Sequence, residues 1–433
     1  GRNGLSWTDG EGEDGPMPLD EALTNLPSGV VLLLKEGAYR PSVTLEFSTA
    51  TLRGGYSGTD DFTFASSNSV SVVDGQHSLD VIATFAFGVG TGVVERIEFA
   101  NAALQAVKKG IGQYERGGRM EFLSCRFIGN GLDKEQTAGG RAIRNWNYQS
   151  TDSSELFCSN CVFAGNAAVH PSTGQWTPNW TGYGAVYANN MAKVEITDCT
   201  FTTNGVAWSV PLGNNWTSQG GAALYVHSKA ISLTGCRFVA NRGLGTKNDA
   251  GHGIVVLENN GTAPWSCGVT NCLFVANEAP GATSSTKSGA LVINAANAAA
   301  ESSVENCTFA YNIINSTTGS AGLSVLSGKA LIRNSIFYGN RQMTSALKGC
   351  DLYLSDANAT AEAVYSLFTG TSEKYVASTT LGALTLGEGV REGDPKFVTD
   401  LDTFNALVSV VKFGSTNGTL AFEPDDARCC DGD

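Results

Sequence analysis

Apolar and polar residues alternate along short segments that recur about every 35 residues of the chain. In the segment from Val194 to Phe201, Val, Ile, Cys and Phe alternate with Glu, Thr and Asp. Alternation with a period of two is typical of a β-strand with one buried and one solvated face. The pattern predicts that the Val, Ile, Cys and Phe side chains point inward in every such segment.

Each of these segments ends in the motif Cys-x-Phe-x-x-Asn, which occurs six times, and a seventh copy has Ser in place of Cys. Weaker relatives of the motif contain Phe99 and Phe368. The phenylalanines of the seven copies are Phe127, Phe163, Phe201, Phe238, Phe274, Phe309 and Phe337. They are separated by 36, 38, 37, 36, 35 and 28 residues. A repeat of this length predicts one coil per copy, with stacked phenylalanine rings and a ladder of small cysteine side chains.

The asparagine of each copy falls where the strand is expected to turn. Asparagine tolerates a left-handed backbone, and its amide can hydrogen-bond nearby main-chain groups. Because the residue returns once per coil, we expect these amides to form an asparagine ladder that connects neighbouring coils.

A second motif of small residues precedes each Cys-x-Phe segment. Its copies start at Gly139, Gly182, Gly220, Gly251, Ser288 and Ala321, and each leads into an apolar strand, which we call the Gly-Ala strand. Small residues permit a tight corner before a new strand. Each coil therefore contains a Gly-Ala strand, a Cys-x-Phe strand and a short third strand. Three strands per coil predict an all-β, single-stranded right-handed parallel β-helix of roughly 11–12 coils.

The ends of the chain depart from the repeat. Residues 19–26 have the apolar spacing of a short amphipathic helix, which would cap the N-terminal end of the solenoid. We predict an N-terminal cap and first coil over 1–50, β-helix coils over 51–370, and a last coil with a C-terminal cap over 371–433.

A Gly-Gly-Ala-Ile-type motif paired with Phe-x-x-Asn resembles the repeats of chlamydial polymorphic outer-membrane proteins. More broadly, it is similar to bacterial right-handed β-helix surface proteins of the pectate-lyase-like superfamily. The resemblance covers roughly residues 90–345. It implies the β-helix fold and an extracellular or cell-surface location, but it does not imply an activity.

Charge and composition narrow the possible partners. The net charge is −13 and there is no basic run, which argues against binding of nucleic acid. The longest apolar run, Val30–Leu34, is too short for a membrane span. Of eleven cysteines, the six in the motif are expected to remain buried thiols. The pairing of the others stays open, with a bridge from Cys350 to the tail pair as one alternative: Cys158, Cys267, Cys350, Cys429 and Cys430.

Aromatic residues flank one strand face over three adjacent coils. Two long inserts, 167–183 and 205–219, each precede a Gly-Ala strand, and one coil earlier Trp146 and Tyr148 follow the Gly-Ala strand on its other side. Flat rings pack on the C–H face of a pyranose, while nearby amides bind its hydroxyl groups. We therefore expect a glycan-binding face formed by Trp146, Tyr148, Trp176, Trp180, Tyr183, Trp208 and Trp216. The alternative is that these rings only pack the inserts onto the solenoid.

Candidate catalytic groups are weaker, and no catalytic residue is assigned. Gly251-His252-Gly253 resembles the Gly-His-Gly of polygalacturonase-like hydrolases, but the acids that such enzymes also need are absent at matching places. Asp249 and Glu258 are the nearby acids after residue 200. The basic residues near the aromatic face are interpreted as solvated surface groups: Arg141, Arg144, His227, Lys229 and Lys247.

The preferred hypothesis is a secreted or surface-displayed, non-catalytic protein that binds a polysaccharide or a cell-surface glycan. One alternative is a polysaccharide lyase or glycoside hydrolase that uses the same groove. Another is a structural subunit of an extracellular fibre or sheath, built by end-to-end self-association. No cofactor or metal site is predicted, although a lyase would call for calcium.

Overall fold

The computed structural model describes residues 19, 30–47, 50–59, 63–85, 90–109, 117–131, 140–146, 154–168, 184–206, 220–243, 252–259, 265–279, 288–295, 297–314, 319–342, 349–354, 357–378 and 383–397. Within these ranges the strands pair in parallel and stack coil upon coil. The predicted right-handed parallel β-helix is confirmed.

One sheet carries the phenylalanines of the repeat, and we call it the phenylalanine sheet. Its strands, from the first coil to the last, are Gly37–Tyr39, Ser71–Asp74, Ile97–Ala100, Arg126–Ile128, Val162–Ala164, Thr200–Thr202, Arg237–Val239, Leu273–Val275, Thr308–Ala310, Ile336–Tyr338, Leu367–Phe368 and Arg391–Glu392. The 12 strands correspond to 12 coils, in agreement with the number expected from the repeat.

A second set of strands precedes the cysteine position, and we call it the leading sheet. Its separate strands are Val30–Lys35, Ala50–Tyr56, Thr91–Glu95, Gly118–Leu123, Ser154–Ser159, Ser266–Thr270, Glu301–Glu305, Ala359–Val364 and Leu384–Leu386. The third set, the Gly-Ala sheet, has the separate strands Leu45–Phe47, Val81–Phe85, Gln105–Lys109, Ile143–Trp146, His252–Glu258, Ser288–Asn294, Leu352–Leu354 and Val376–Ser378.

Three long strands belong to both of these sheets, because no corner interrupts them: Val186–Thr197, Gly220–Thr234 and Leu323–Arg333. Short strands follow the asparagine turn in some coils, as the third strand of the repeat predicts. They are Ala167–Ala168 paired with Gly205–Val206, and Glu278–Ala279, Ile313–Ile314 and Arg341–Gln342.

Two residues of a typical coil adopt a left-handed backbone and form its corners. One precedes the cysteine position, as at Asp198 with φ 52°, and the other precedes the ladder asparagine, as at Thr203 with φ 53°. The left-handed residue of this corner is therefore the one before the ladder asparagine and not the asparagine itself. The corner at Asp198 also divides the segment Val194–Phe201, which we predicted as one strand, between two sheets.

The interior contains the predicted ladder of phenylalanine rings. From Phe99 to Phe368 the rings of neighbouring coils stack with centroids 4.5–5.5 Å apart, and each ring is fully buried. Because offset stacked pairs add attraction to the burial of apolar surface, this stack is a continuous core along the solenoid.

The cysteines of the motif form a second interior ladder. All six are buried and free, as expected: Cys125, Cys161, Cys199, Cys236, Cys272 and Cys307. The thiol of Cys236 donates to the carbonyl of Ile196 in the preceding coil at 3.3 Å. In the seventh copy, the hydroxyl of Ser335 donates to the equivalent carbonyl, that of Val304 in the preceding coil, at 3.4 Å, and it also lies 2.9 Å from the carbonyl of Arg333. Serine therefore replaces cysteine without loss of the hydrogen bond.

The asparagine ladder is confirmed and consists of Asn130, Asn166, Asn204, Asn241, Asn277, Asn312 and Asn340. In each of the first six, Nδ2 donates to Oδ1 of the next member at 2.9–3.0 Å. Each also donates to the carbonyl of a ladder phenylalanine, as Asn166 does to Phe127 at 2.9 Å. The ladder thus joins neighbouring coils at one corner.

The ends of the chain are described only in part. Of the predicted capping helix 19–26, Leu19 alone is described; it is helical and buried in the main core. The rest of that helix and residues 398–433 lie outside the described residues. The proposed division at residues 50 and 370 stays a prediction. In the described part of the chain, no helix is long and apolar enough to cross a membrane.

Candidate functional site

The outward face of the Gly-Ala sheet carries two rows of side chains that run from coil to coil. The strand pairing aligns Trp146, Asn189, His227, Glu258 and Asn294 across five consecutive coils, and we call these residues the outer row. Apart from buried Glu258 and exposed Trp146, its members are half-buried. One side chain per coil gives a spacing of about 4.8 Å along the row.

The neighbouring row is covered. Tyr187, Tyr225, Val256 and Val292 follow one another in register on the outward face, yet each is at most 9% exposed. Together with Leu326 they form an apolar cluster separate from the main core, and the rings of Tyr187 and Tyr225 stack at 5.2 Å. Parallel sheets are usually buried on both faces. This covered row therefore borders the outer row, two residues earlier along each strand.

Hydrogen bonds fix the polar groups at the centre of the outer row. The hydroxyl of Tyr225 donates to Oε2 of Glu258 at 2.7 Å, and Nδ2 of Asn294 lies 3.3 Å from Oε1 of the same carboxylate. Nδ1 of His227 lies 3.0 Å from Oδ1 of Asn190. Glu258 is 8% exposed, so its carboxylate is held in one orientation rather than free in solvent. The centre of the row is a preorganised set of donors and acceptors.

Trp146 ends the outer row on the N-terminal side. Its side chain is 37% exposed, and the guanidinium carbon of Arg144 lies 5.0 Å from the ring centroid. A cation at this distance holds the ring by a cation–π interaction. Of the seven predicted glycan-binding aromatics, Trp146 is described and does present its ring. The other six lie outside the described residues, so their role stays a prediction: Tyr148, Trp176, Trp180, Tyr183, Trp208 and Trp216.

The basic residues near this face differ in how far their side chains are exposed to solvent. Arg144, His227 and Lys229 are half-buried. Arg141 is only 3% exposed, so its interpretation as a solvated surface group was wrong. A solvated arginine and a buried one look alike in a single sequence, because the packing that covers the side chain comes from other coils. Lys247 and Asp249 lie outside the described residues.

A repeated aromatic position in the sequence also points to the site. Tyr187 and Tyr225 occupy the same position after the Gly-Ala motif in two successive repeats. An aromatic residue repeated at an outward position predicts a covered row, and the residue two places further along then belongs to the outer row.

The outer row offers recognition chemistry in the part of the chain that is described. Glu258 is the one carboxylate that the described residues place in this row. Inverting and retaining hydrolysis both need a second acid at a defined separation. Among the described residues, no group of three or more His, Cys, Asp or Glu side chains is arranged to hold a metal ion.

A solved structure resembles the chain, but only weakly. No protein-family model matches the chain, and no curated protein matches it. The chain is similar to the crystal structure of the catalytic unit of a thermostable GH87 alpha-1,3-glucanase from Streptomyces thermodiastaticus strain HF3-3, with 13% identity and a TM-score of 0.28. The match covers 84% of this chain and 64% of that one, which is less than two thirds of its length.

The remaining cysteines supply no reactive group in the described residues. Cys158, Cys267 and Cys350 are buried and form no disulfide with another described cysteine; the bridge from Cys350 to the tail pair stays a prediction. Burial raises the pKa of Cys267 to about 12 and that of Cys350 to about 11. Thiols react as thiolates, so these groups are inert near neutral pH. Cys429 and Cys430 lie outside the described residues.

Proposed function

We propose that this chain is a glycan-binding β-helix and that the outer row of the Gly-Ala sheet contacts the saccharide. The observation that carries the proposal is the alignment of the exposed Trp146 ring with four hydrogen-bonding side chains, one in each following coil.

The chemistry of the row suits a saccharide. An indole ring packs on the C–H face of a sugar, and amide, imidazole and carboxylate groups bind hydroxyl groups on either side as donors or acceptors. The Glu258 carboxylate is already oriented by Tyr225 and Asn294. Groups that are fixed before binding lose less conformational freedom when the ligand arrives. A strip with one group per coil favours an extended chain of sugars over a compact molecule.

We further propose that the protein acts outside the cell or at its surface, as a binding protein rather than an enzyme. The resemblance of the repeats to bacterial β-helix surface proteins supports the location. The aromatic and hydrogen-bonding groups of the outer row support recognition. Lyase or hydrolase activity, and assembly into fibres, are the other outcomes that the experiments below separate.

The test is a glycan array followed by titration with the best ligand, for the wild type, Trp146→Ala and Glu258→Gln. Tyr311→Ala is the matched control, because Tyr311 is an exposed ring, 41% accessible, outside the Gly-Ala sheet. We expect affinity to fall about 10-fold in each outer-row variant, since a lost stacking or hydrogen-bond contact is worth roughly 1–2 kcal/mol. The control should bind like the wild type.

Circular dichroism establishes that each variant is folded. Undiminished binding by the Trp146→Ala, Glu258→Gln double variant would rule out the outer row. Release of reducing or unsaturated sugar ends from the bound polysaccharide would establish an enzyme instead. Filaments seen by electron microscopy, together with an empty array, would favour a structural subunit.

A further inference from the structure

The corner that opens each Gly-Ala strand is narrow. Two residues before the first inward residue of the strand, five coils have a small residue: Gly184, Ala222, Gly253, Gly289 and Ala321. Only glycine fits at 184, because an added Cβ would lie 1.5 Å from the carbonyl oxygen of Ala222 in the next coil. The corner rule of the repeat is therefore a small side chain.

Arg141 departs from this rule in the coil that leads to Trp146, as Gln105 does one coil earlier. It stands in the column of Gly184, to whose carbonyl its backbone N–H donates at 2.9 Å. Its side chain runs past Gly131, where a Cβ would lie 2.4 Å from Cδ of the arginine. Glycine at 131 thus makes the room that the long side chain needs. The five corners with a small residue have no long side chain to accommodate, so the combination of Gly131 and Arg141 is specific to this coil.

The guanidinium of Arg141 is buried without a counter-charge in the described part of the chain. The residue is 3% exposed, and its Nη1 meets no hydrogen-bond acceptor among the described residues. No ion pair with Arg141 occurs within the described ranges, whereas the buried Arg242 pairs with Glu278 at 3.0 Å. Burial lowers the pKa of Arg141 to about 10, so the group still carries its charge near neutral pH.

A buried cation without a partner is costly, and a charged or hydrogen-bonding partner offsets that cost. We propose that Arg141 is the recognition group of a binding site for a small oxyanion, namely sulfate, phosphate or carboxylate, either free or as a substituent on a saccharide. The planar fork of guanidinium N–H groups matches two oxygens of such a group.

This site is separate from the outer row, and neither proposal depends on the other. The oxyanion is tested with inorganic ions and without any glycan array, so a failure of one proposal leaves the other standing.

The experiment follows thermal unfolding in rising sodium sulfate or sodium phosphate, against sodium chloride at equal ionic strength. The variants are Arg141→Met, which replaces the charge by an apolar chain of similar length, and the control Arg237→Met, at an exposed arginine of the phenylalanine sheet. Sulfate and phosphate stabilise most proteins weakly and without saturation. We expect a saturable rise in Tm of about 2 °C or more in the wild type and the control. Arg141→Met should keep only the unsaturating part.

Stability without the anion gives an independent readout. Arg141→Met should then unfold at or above the wild-type Tm, because an apolar side chain replaces an unpaired buried charge. A large fall in Tm for this variant, with no saturable effect of either anion on the wild type, would overturn the proposal and make Arg141 a structural residue. If Arg141→Met does not fold, phosphate titration calorimetry on the wild type decides, and the absence of saturable heat overturns the proposal.

The two sources of the oxyanion are separated by glucose 6-sulfate and glucuronate, with glucose as the neutral control. Tighter binding of the charged sugars than of inorganic sulfate assigns the site to a saccharide substituent. Equal or weaker binding assigns it to the free ion. A shift with glucose equal to that with glucose 6-sulfate would show that the oxyanion is not what is recognised.

Discussion

Each interior asparagine of the ladder satisfies several main-chain and side-chain groups at once. Nδ2 of Asn204 donates to the carbonyl of Phe163 and to Oδ1 of Asn241, at 2.9 and 3.0 Å. Its own Oδ1 accepts from the backbone N–H and Nδ2 of Asn166, at 3.1 and 3.0 Å. The side chain is fully buried, so water cannot replace any of these bonds. The loss of folding free energy on removing this side chain therefore depends on how many buried donors and acceptors it leaves without a hydrogen bond.

Asn204→Ala is expected to destabilise the protein by about 3 kcal/mol or more, because several buried groups lose their partner at about 1–3 kcal/mol each. Asn271→Ala is the control. Asn271 is an exposed corner residue with φ 55°, and its replacement costs about 1–2 kcal/mol through the left-handed backbone alone. Denaturation midpoints compare the two variants. Equal losses would show that the ladder contributes no more than an ordinary corner residue.

The ladder ends on a carboxylate rather than on another amide. Nδ2 of Asn340 donates to Oδ1 of Asp351 at 2.9 Å, and the backbone N–H of Thr369 donates to Oδ2 at 2.9 Å. A carboxylate accepts with both oxygens, so it can end a row of donors. Burial raises the pKa of Asp351 to about 6, although the bonds from Asn340 and Thr369 oppose that rise.

The raised pKa of Asp351 makes stability depend on pH in a defined direction. Between pH 3.8 and about 6 the native state holds a proton that the unfolded state has lost, so this group's contribution to stability falls as pH rises through that window. The change is on the order of 3 kcal/mol. Relative to Asp351→Asn, the wild type should gain about this much stability when the pH falls from 7 to 4. Denaturation curves at several pH values measure the difference, and a constant gap would contradict the assignment.

At this scale the sequence identified the residues that recur and not those that occur once. Phenylalanine, cysteine and asparagine return at nearly equal spacing, so their inward positions could be predicted. Asp351 comes only 11 residues after Asn340, outside that spacing. Arg141 occupies a corner position that holds a small residue in five other coils. Neither carries a pattern that a single sequence reveals.

At the scale of the strand, the distance between coils is controlled at the corners. Gly184→Ala places a Cβ against the backbone of Ala222, which cannot move without displacing the next coil. Gly268→Ala is the matched control, since its Cβ would meet only the hydroxyl of Ser303 at 3.6 Å. We expect the first variant to lose several kcal/mol or fail to fold, and the second to change by less than about 1 kcal/mol. Expression and thermal unfolding measure both, and a mild effect at 184 would mean that the coils can separate locally.

The limits of strands were harder to predict than their existence. An inward residue stays inward on both sides of the left-handed corner at Asp198, so the alternation continues while the chain changes sheets. The opposite holds in Gly220–Thr234, where one strand passes through two sheets without a corner. Periodicity reports which face is buried, whereas the backbone conformation of one residue decides where a strand ends.

At the scale of the molecule, the sequence repeat predicts the number of coils and their stacking. The composition of the outer row depends instead on the register in which strands of neighbouring coils pair. Asn189 and His227 are aligned because two coils of different length return to the same place in the sheet. The length of an insert does not determine that alignment, because the extra residues do not change where the next strand pairs in the sheet. This is why the aromatic positions could be proposed from the sequence but the row of Asn189, His227, Glu258 and Asn294 could not.

Each coil contacts its neighbours, so stability should be distributed as in a one-dimensional array. The central strand Gly220–Thr234 pairs on both sides, whereas Leu384–Leu386 pairs only with Ala359–Val364 within the described residues. We expect native-state hydrogen exchange to be slowest in the central coils and fastest at 383–397. Phe238→Ala, which opens a cavity in the ring stack at a cost of about 3–5 kcal/mol, should accelerate exchange in its own and adjacent coils. Exchange over 30–56 should not change. Equal acceleration along the whole chain would instead show that the solenoid unfolds as one cooperative unit.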